Sequence, residues 1–438
     1  MDQTETLIIE TIDRHREEII EFARDIYSHA ELGYKEFQTS GKFVKKMEQL
    51  GLRTEKGFAI TGVKAYLNED KKENASLALL GELDALRIPE HAFANPETNA
   101  AHCCGHHAQM SGVFGAALAL TVPEIAEKLD GQVVFFATPA EEYGEIEFKN
   151  QLREQGKIRY GGGKCELLRI GAFDDIDLCL THHIRPGNEI LVGSGTGNGF
   201  VSKVIRVLGK ASHAAGAPEK GVNALSAASL GLQALGLNRE TFRDEDCVRV
   251  HPIITKGGNL VNVIPDEVVV ETLVRGKTIE AFTDAAKKTD RSFKAGAIAM
   301  GAKVEISTLP GYLPTLAEEA LPELKHAAEI SASGIPVIEA SGHAGGSTDV
   351  GDVQHLMPVY TFNTGGVKGG LHQIDFEVTD EEEAYIVTAK MFALAAYGLL
   401  KEKAQRSREL VDQYEPVFKN SAEYVEFMEQ FDSKEIFE

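Results

Sequence analysis

The chain has 438 residues, is 43% hydrophobic and 26% charged, and carries a formal net charge of −22. That length exceeds one ordinary core and points to two domains, while the acidic surplus excludes nucleic acid and anionic membrane as partners, because both would repel it. Five cysteines at irregular spacing, two of them adjacent, do not make a disulfide framework. With no leader-like start and no apolar stretch near the roughly 20 residues that span a bilayer, they predict a cytoplasmic protein.

Helical periodicity runs over 6–29 and again over 40–50, where Gly51 stops it. Apolar runs at 62–67 and 76–83 read as strands, 108–120 as a buried helix, and 132–137 and 176–181 as strands buried on both faces. This alternation predicts an α/β fold with a parallel or mixed sheet sandwiched by helices. A glycine-rich joint from Gly193 to Gly199 then changes the texture. Strand 201–208, helix 222–237, strands 247–255 and 267–275, helix 279–300 and strand 302–308 follow. That β-α-β-β-α-β order predicts a self-contained ferredoxin-like α+β domain, inserted over 193–308. A strand at 358–362 and a helix at 381–400 resume the first pattern, so 1–192 plus 309–438 is expected to form the metal-binding domain. From Lys401 the chain reads as a surface helix or a partly ordered tail.

The stretch His102-Cys103-Cys104-Gly105-His106-His107 packs five possible metal-binding side chains into six positions. Glu141-Glu142, His182-His183 and His372 add further donors. Nitrogen, sulfur and oxygen together suit zinc, manganese, cobalt or nickel. In an open α/β sheet, sites form beyond the carboxyl ends of strands. Asp84, Glu141-Glu142 and His182-His183 are each expected at such an end, and Cys104-Gly105-His106 just before a helix. One glycine between Cys104 and His106 lets both face one point, and a thiolate can bind one ion or bridge two. Of the glutamate pair, one carboxylate can bind metal while the other takes a proton from metal-bound water, whose pKa falls from about 15.7 toward ~7. His183 is preferred to His182 because Pro186 and Gly187 turn the chain back. His102 or His107 is suited to a hydrogen bond that fixes a ligand's tautomer, and Cys103 to packing. His213, in the insert, is suited to hydrogen bonding with a developing oxyanion. The bland readings are solvated glutamates in a chain with 67 acidic residues, a buried cysteine and surface histidines. Donor density and strand-end placement outweigh them. The run Gly193 to Gly199 lacks the spacing of a nucleotide loop and leads into a strand.

These residues resemble the di-metal amidohydrolase and metallopeptidase family of the aminoacylases and carboxypeptidase G. The branch is that of hippurate, auxin-conjugate and aminobenzoyl-glutamate hydrolases. The family's H-A-C-G-H-D box is similar to residues 102–107, its P-A-E-E box is identical to 139–142, and its G-x-H-x-x-P segment resembles 181–186. G-x-x-x-H-A-x-x-x-P matches 209–218, N-x-I-P matches 262–265, and the late G…H-x-x-D-F box matches 370–376. The form Gly81-Glu82-Leu83-Asp84-Ala85-Leu86 and the segment 347–352 look more like the aminobenzoyl-glutamate-utilisation B sub-branch. His107 stands where the box has aspartate, and Cys103 where it has alanine.

The resemblance implies a phosphorylase/hydrolase-like catalytic domain with two divalent metal ions (Zn, Mn, Co or Ni). The implied ligands are Cys104, His106, Glu142, His183 and His372, with Asp84 and His107 behind them and Glu141 as general base. It also implies a lid that makes a homodimer, with His213 reaching the other subunit's site, and Asn262 and Arg275 holding a small substrate with a free carboxylate. The expected reaction is hydrolysis of an amide bond in an N-acyl amino acid, an aminobenzoyl-glutamate-like conjugate or a small peptide. The alternatives are a non-catalytic binder of metal or conjugates, and a cysteine-nucleophile amidase using Cys104.

Overall fold

The computed structural model describes residues 1–332 and 334–438, which divide into two compact units. The first comprises Met1–Gly195, Leu316–Gly342 and Asp352–Ser421; the second comprises Thr196–Thr315, His343–Gly351 and Ala422–Glu438.

An eight-stranded mixed sheet runs through the first unit. At its centre the strands Gln132–Thr138, Ser76–Glu82, Leu178–Ile184 and Val359–Thr364 lie side by side, all parallel. The first two are buried along their whole length, which is why they read as unbroken apolar runs. Gly62–Leu67 and then Arg53–Phe58 extend one side, each antiparallel to its neighbour; on the other side Ile190–Val192 pairs antiparallel with Val359–Thr364 and parallel with Val337–Glu339. Parallel order places four carboxyl ends along one rim, which is what positions the site.

The helix His106–Leu120 is buried at every residue. It packs against Gln3–Arg14, Arg16–Ser28 and Thr388–Gln413. Two glycines permit this approach. A Cβ at Gly112 would meet Thr388 Cγ2 at 2.5 Å, and one at Gly115 would meet Ala389 Cβ at 2.5 Å. The single helix expected over 6–29 is two helices that break at His15. Ile12 and Ile19 are both fully buried across the break, so apolar spacing does not reveal it. The late helix starts with a wide-turn segment, Glu382–Val387, and runs on as Thr388–Gln413 with non-helical dihedrals at Lys401, Glu402, Lys403 and Ala404. It is long and apolar enough to cross a membrane, but 89% of its most apolar window is buried inside the protein, as in a core helix.

The second unit has an antiparallel sheet in the order Arg249–Val250, Glu267–Gly276, Gly199–Leu208, Lys303–Tyr312, Ser433–Phe437, with Ile253–Lys256 also pairing with Glu267–Gly276. The helices Ala224–Asn238 and Ile279–Met300 pack together and close a core with Ile205, Val268, Val270, Phe282, Phe293 and Val304. The strand expected over 247–255 is two short ones, divided at His251-Pro252, where proline has no N–H to give the ladder. The last residues are not a loose tail: Ser433–Phe437 pairs with Lys303–Tyr312.

Gly115→Val should overpack the contact with Ala389 and lower stability by about 1–3 kcal/mol, read as an earlier midpoint in urea unfolding. A midpoint equal to wild type would show that the two helices are not in fixed contact.

Candidate metal centre

Five donor side chains from four segments meet at the rim. Cys104 precedes the helix His106–Leu120, Glu142 follows the strand Gln132–Thr138, His183 lies near the end of Leu178–Ile184, and His372 sits in the loop after Val359–Thr364. Cys104, His106 and His183 each offer an atom within 4.8 Å of the others, and so do Cys104, Glu142 and His372. Cys104 is common to both groups. Its Sγ lies 3.2 Å from His183 Nε2 and 3.2 Å from His372 Nε2. His372 Nε2 is also 3.1 Å from Glu142 Oε1.

Local backbone explains the convergence. Gly105 has φ 85°, and a Cβ there would lie 2.0 Å from Ile184 Cγ2, so no other residue fits between Cys104 and His106 without displacing the strand end. His372 also adopts a positive φ, 62°, held by its N–H donating to Cys103 O at 2.9 Å. His182 and His183 are neighbours in one strand and so point to opposite faces. His182 is buried against Phe362 with Nε2 bonded to Thr364 Oγ1 at 2.8 Å, whereas His183 faces Cys104. Both histidines belong to the strand itself, which extends further than the expected 176–181.

Hydrogen bonds at the far ring nitrogens assign the tautomers. His106 Nδ1 donates to Asp84 O at 2.8 Å, and His183 Nδ1 to Ile184 O at 2.7 Å. Each therefore turns Nε2 toward the cluster, the atom that binds a metal once it gives up its proton. His106 Nε2 and Glu142 Oε1 are buried with no hydrogen bond. Both have a neighbour at 3.1 Å, but none with the alignment a hydrogen bond needs. Buried donor atoms converging on one point without hydrogen bonds of their own fit a bound cation. The set of one thiolate, three imidazoles and a carboxylate suits a first-row transition metal.

Asp84 is fully buried behind the cluster. Its Oδ1 accepts the Glu141 N–H at 3.2 Å and its Oδ2 the Glu142 N–H at 2.9 Å. Glu36, absent from the sequence reading, accepts the Ala140 N–H at 2.8 Å. Two carboxylates thus hold three successive N–H groups of the turn that carries the glutamate pair. Glu141 is 8% exposed, with Oε2 3.9 Å from His106 Nε2.

Charges shift accordingly. Burial, then the Glu142 charge, push the Cys104 thiol well up. Burial would raise Glu142 too, but contact with His372 prevails and its carboxyl is lowered. Burial disfavours the charged form of His106, yet Glu82 and Cys104 outweigh it and raise this imidazole well above its usual range. Burial, then the charge of His106, lower His183.

Other expected residues lie elsewhere. His107 makes no bond to a ligand: both ring nitrogens are buried without partners, and the ring packs among Tyr27, His102 and Tyr385. Asp84 O takes the tautomer-fixing role expected of His102 or His107. His213, Asn262 and Arg275 belong to the second unit. His213 is exposed, and its Nδ1 accepts from Ala215 N at 3.2 Å and Gly216 N at 3.0 Å, so Nε2 carries the outward proton. Asn262 is exposed and lies beside it through Ala214 N donating to Asn262 O at 3.0 Å. Arg275 Nη1 donates to Ser347 Oγ at 3.4 Å at the other end of the sheet. Sequence reasoning also passed over Glu82 and Lys164. The signal for Glu82 was its spacing from Asp84, two residues apart at a strand end and so on one face.

Residues 78–397 match the pattern of peptidase family M20/M25/M40. The chain is 27% identical to the Xaa-Arg dipeptidase of Mus musculus over 90% of this chain and 85% of that one. It is 27% identical to one of the chains of the p-aminobenzoyl-glutamate hydrolase of Escherichia coli, over 70% of this chain and 60% of that one. It is 30% identical to the IAA-amino acid hydrolase ILR1-like 2 of Arabidopsis thaliana, over 60% and 56%. Among solved structures, the aminobenzoyl-glutamate utilization protein of Klebsiella pneumoniae superposes with TM-score 0.65 at 19% identity, covering 90% of this chain and 98% of that one. A Bacillus subtilis protein described as a dinuclear metal binding peptidase superposes with TM-score 0.61 at 24% identity, covering 89% and 99%. These relatives are hydrolases and dipeptidases by name, and this chain is an amidohydrolase with the same α/β fold, not a binding protein without turnover. With the pattern spanning most of its length, the chain belongs to peptidase family M20/M25/M40.

Proposed function

We propose that this protein hydrolyses the amide bond of a small substrate with a free carboxylate: an N-acyl amino acid, an aminobenzoyl-glutamate-like conjugate or a short peptide. The observation that carries the proposal is the pair of donor groups sharing the Cys104 sulfur, with Glu141 beside them. Cys104, His106 and His183 would hold one divalent ion, and Cys104, Glu142 and His372 a second. Ions bound there lower the pKa of water and polarise the amide carbonyl. Glu141 takes the proton of the attacking water and delivers it to the leaving nitrogen as the C–N bond breaks. Asp84 and Glu36 keep that carboxylate in place through the backbone of its turn. A cysteine-nucleophile route is less well supported, since burial and Glu142 push the Cys104 thiol away from its reactive thiolate form. A reducing cytoplasmic setting belongs to this reading, supported by cysteines that form no disulfide among the described residues. The donor set suits zinc, manganese, cobalt or nickel.

Two features of the second unit support a homodimer in which His213 serves the partner's substrate. Phe200 pairs with Arg275 and Leu208 with Glu267, so Arg275 and the His213 loop flank opposite ends of ten-residue strands, about 30 Å apart at the usual rise. One substrate cannot touch both from a single chain. The strand Ile253–Lys256 also forms an exposed edge, with Ile253, Ile254, Leu260 and Val261 open to solvent. We assign Asn262 and Arg275 to the substrate's carboxylate or carbonyl and His213 Nε2 to the oxyanion, with Arg275 from one chain and the neighbours Asn262 and His213 from the other.

Glu141→Gln should lower turnover of N-acyl amino acids roughly 10²- to 10⁴-fold while metal content, measured by mass spectrometry, stays at the wild-type level. Retained turnover would remove Glu141 from the chemistry. Chelation should abolish activity and added Mn, Zn or Co restore it; activity that survives chelation but not thiol alkylation would favour Cys104 as nucleophile. Ile254→Lys should convert a particle of about twice 47.6 kDa into a monomer by light scattering, with activity lost and metal retained. A fully active monomer would sink the proposed role of His213.

A further inference from the structure

A buried ionic assembly adjoins the His106 side of the centre. Glu82 ends the strand Ser76–Glu82 and is 3% exposed. Its Oε1 accepts from Lys164 Nζ at 2.6 Å, and Lys164 is itself fully buried in the helix Gly163–Arg169. Its Oε2 accepts from Gln109 Nε2 at 2.8 Å, and its own N–H donates to Gln109 Oε1 at 2.9 Å. Gln109 therefore grips residue 82 by both main chain and side chain, and little freedom remains in the carboxylate.

The ion pair and its clamp account for these contacts, and Oε2 has a second neighbour beyond Gln109. It lies 3.1 Å from His106 Nε2, a fully buried nitrogen with no hydrogen bond. Nδ1 of that ring is taken by Asp84 O, so the nitrogen that faces the Glu82 oxygen is the one free to bind a metal. Glu82, His106 and Glu141 each present an atom within 4.8 Å of the others. A buried carboxylate oxygen and imidazole nitrogen at this distance need a positive charge between them, and with Glu141 as a third donor a metal ion can supply it.

We propose that Glu82 is a further carboxylate donor to the cation held by His106, with Lys164 neutralising its other oxygen and Gln109 fixing its direction. The inference rests on the metal reading given under Proposed function and adds one residue to that site. Lys164 makes the arrangement workable, because a buried second carboxylate next to Glu141 would otherwise repel it.

Metal-free wild type and Glu82→Gln, both full-length, would be titrated with Mn2+ and with Zn2+ by calorimetry, and bound ions counted by mass spectrometry after dialysis. Wild type should take two ions. Glu82→Gln should keep one at wild-type affinity and bind the other roughly 10- to 100-fold more weakly. Cobalt-loaded protein gives an independent readout: loss of a carboxylate donor should change the intensity of the d–d bands. Folded Glu82→Gln that binds both ions with wild-type affinity overturns the inference. If that variant does not fold, Glu82→Gln combined with Lys164→Met removes both buried charges; weakening of one ion supports the proposal, and two ions at wild-type affinity overturn it. Absence of bound metal in wild type would overturn the inference together with the metal reading on which it rests.

Discussion

Lone pairs crowded around the Cys104 sulfur set the terms for the first unit. Two imidazole nitrogens lie 3.2 Å from it, and one of them is also 3.1 Å from a carboxylate oxygen. Such groups compete for protons or repel unless a cation lies among them. Their positions are enforced by packing. The strand end Leu178–Ile184 brings His183 to the sulfur and also places Ile184 against Gly105, where a Cβ would collide at 2.0 Å. One strand end thus supplies a donor and fixes the backbone turn that presents two others. This is why the glycine between Cys104 and His106 belongs to the chemistry as well as to the fold.

Electrostatics of the buried region follow the same logic. With Cys104 as thiolate, the centre carries that sulfur and the carboxylates of Glu82, Asp84, Glu141 and Glu142 against the ammonium of Lys164. The surplus of four negative charges equals what two divalent cations would neutralise. Glu36 stands nearby without adding fully to it, since burial and then the Asp84 charge push it up to about 7. Glu82 is held down at about 2 against the opposing effect of burial, by Lys164 and then His106. Carboxylates a few ångströms apart are thus split into one that keeps its proton toward neutrality and others that give it up.

Much of this was legible in the sequence because it is local. The donor-rich box, the glycine inside it, the Pro-Ala-Glu-Glu turn and the alternation of apolar runs are patterns within a few residues, and the parallel strands at the sheet centre emerge where those runs lie. Strand alternation separates His183 from His182, but only the contact with Cys104 shows which of the two faces the cluster. What escaped depends on contacts between distant segments. Lys164 sits 82 positions from Glu82, and its local neighbours, three glycines and Glu166, do not point to that partner. His107 falls among motif histidines, yet its position on the helix turns it toward Tyr27 and Tyr385 and away from the ligands. Charge and scattered aromatics beyond Lys401 hid a strand, because an edge strand of mixed composition has no periodicity of its own.

That terminal strand bears on how the second unit can associate. An antiparallel sheet with two bare edges can extend in both directions, which leads to open assemblies. Here one edge strand, Lys303–Tyr312, is covered by Ser433–Phe437, a short piece tied down by Lys434 to Glu305, Glu435 to Lys294 and Glu438 to Lys303. Shortness and charge make the new outer edge a poor template for another strand. The opposite side keeps Ile253–Lys256, with apolar side chains exposed. A sheet with one closed side and one adhesive side can satisfy the adhesive side with a second copy of itself and then stop. Two-fold pairing of that kind would carry each His213 loop away from its own Arg275 end and let two chains exchange the groups that no single chain brings together.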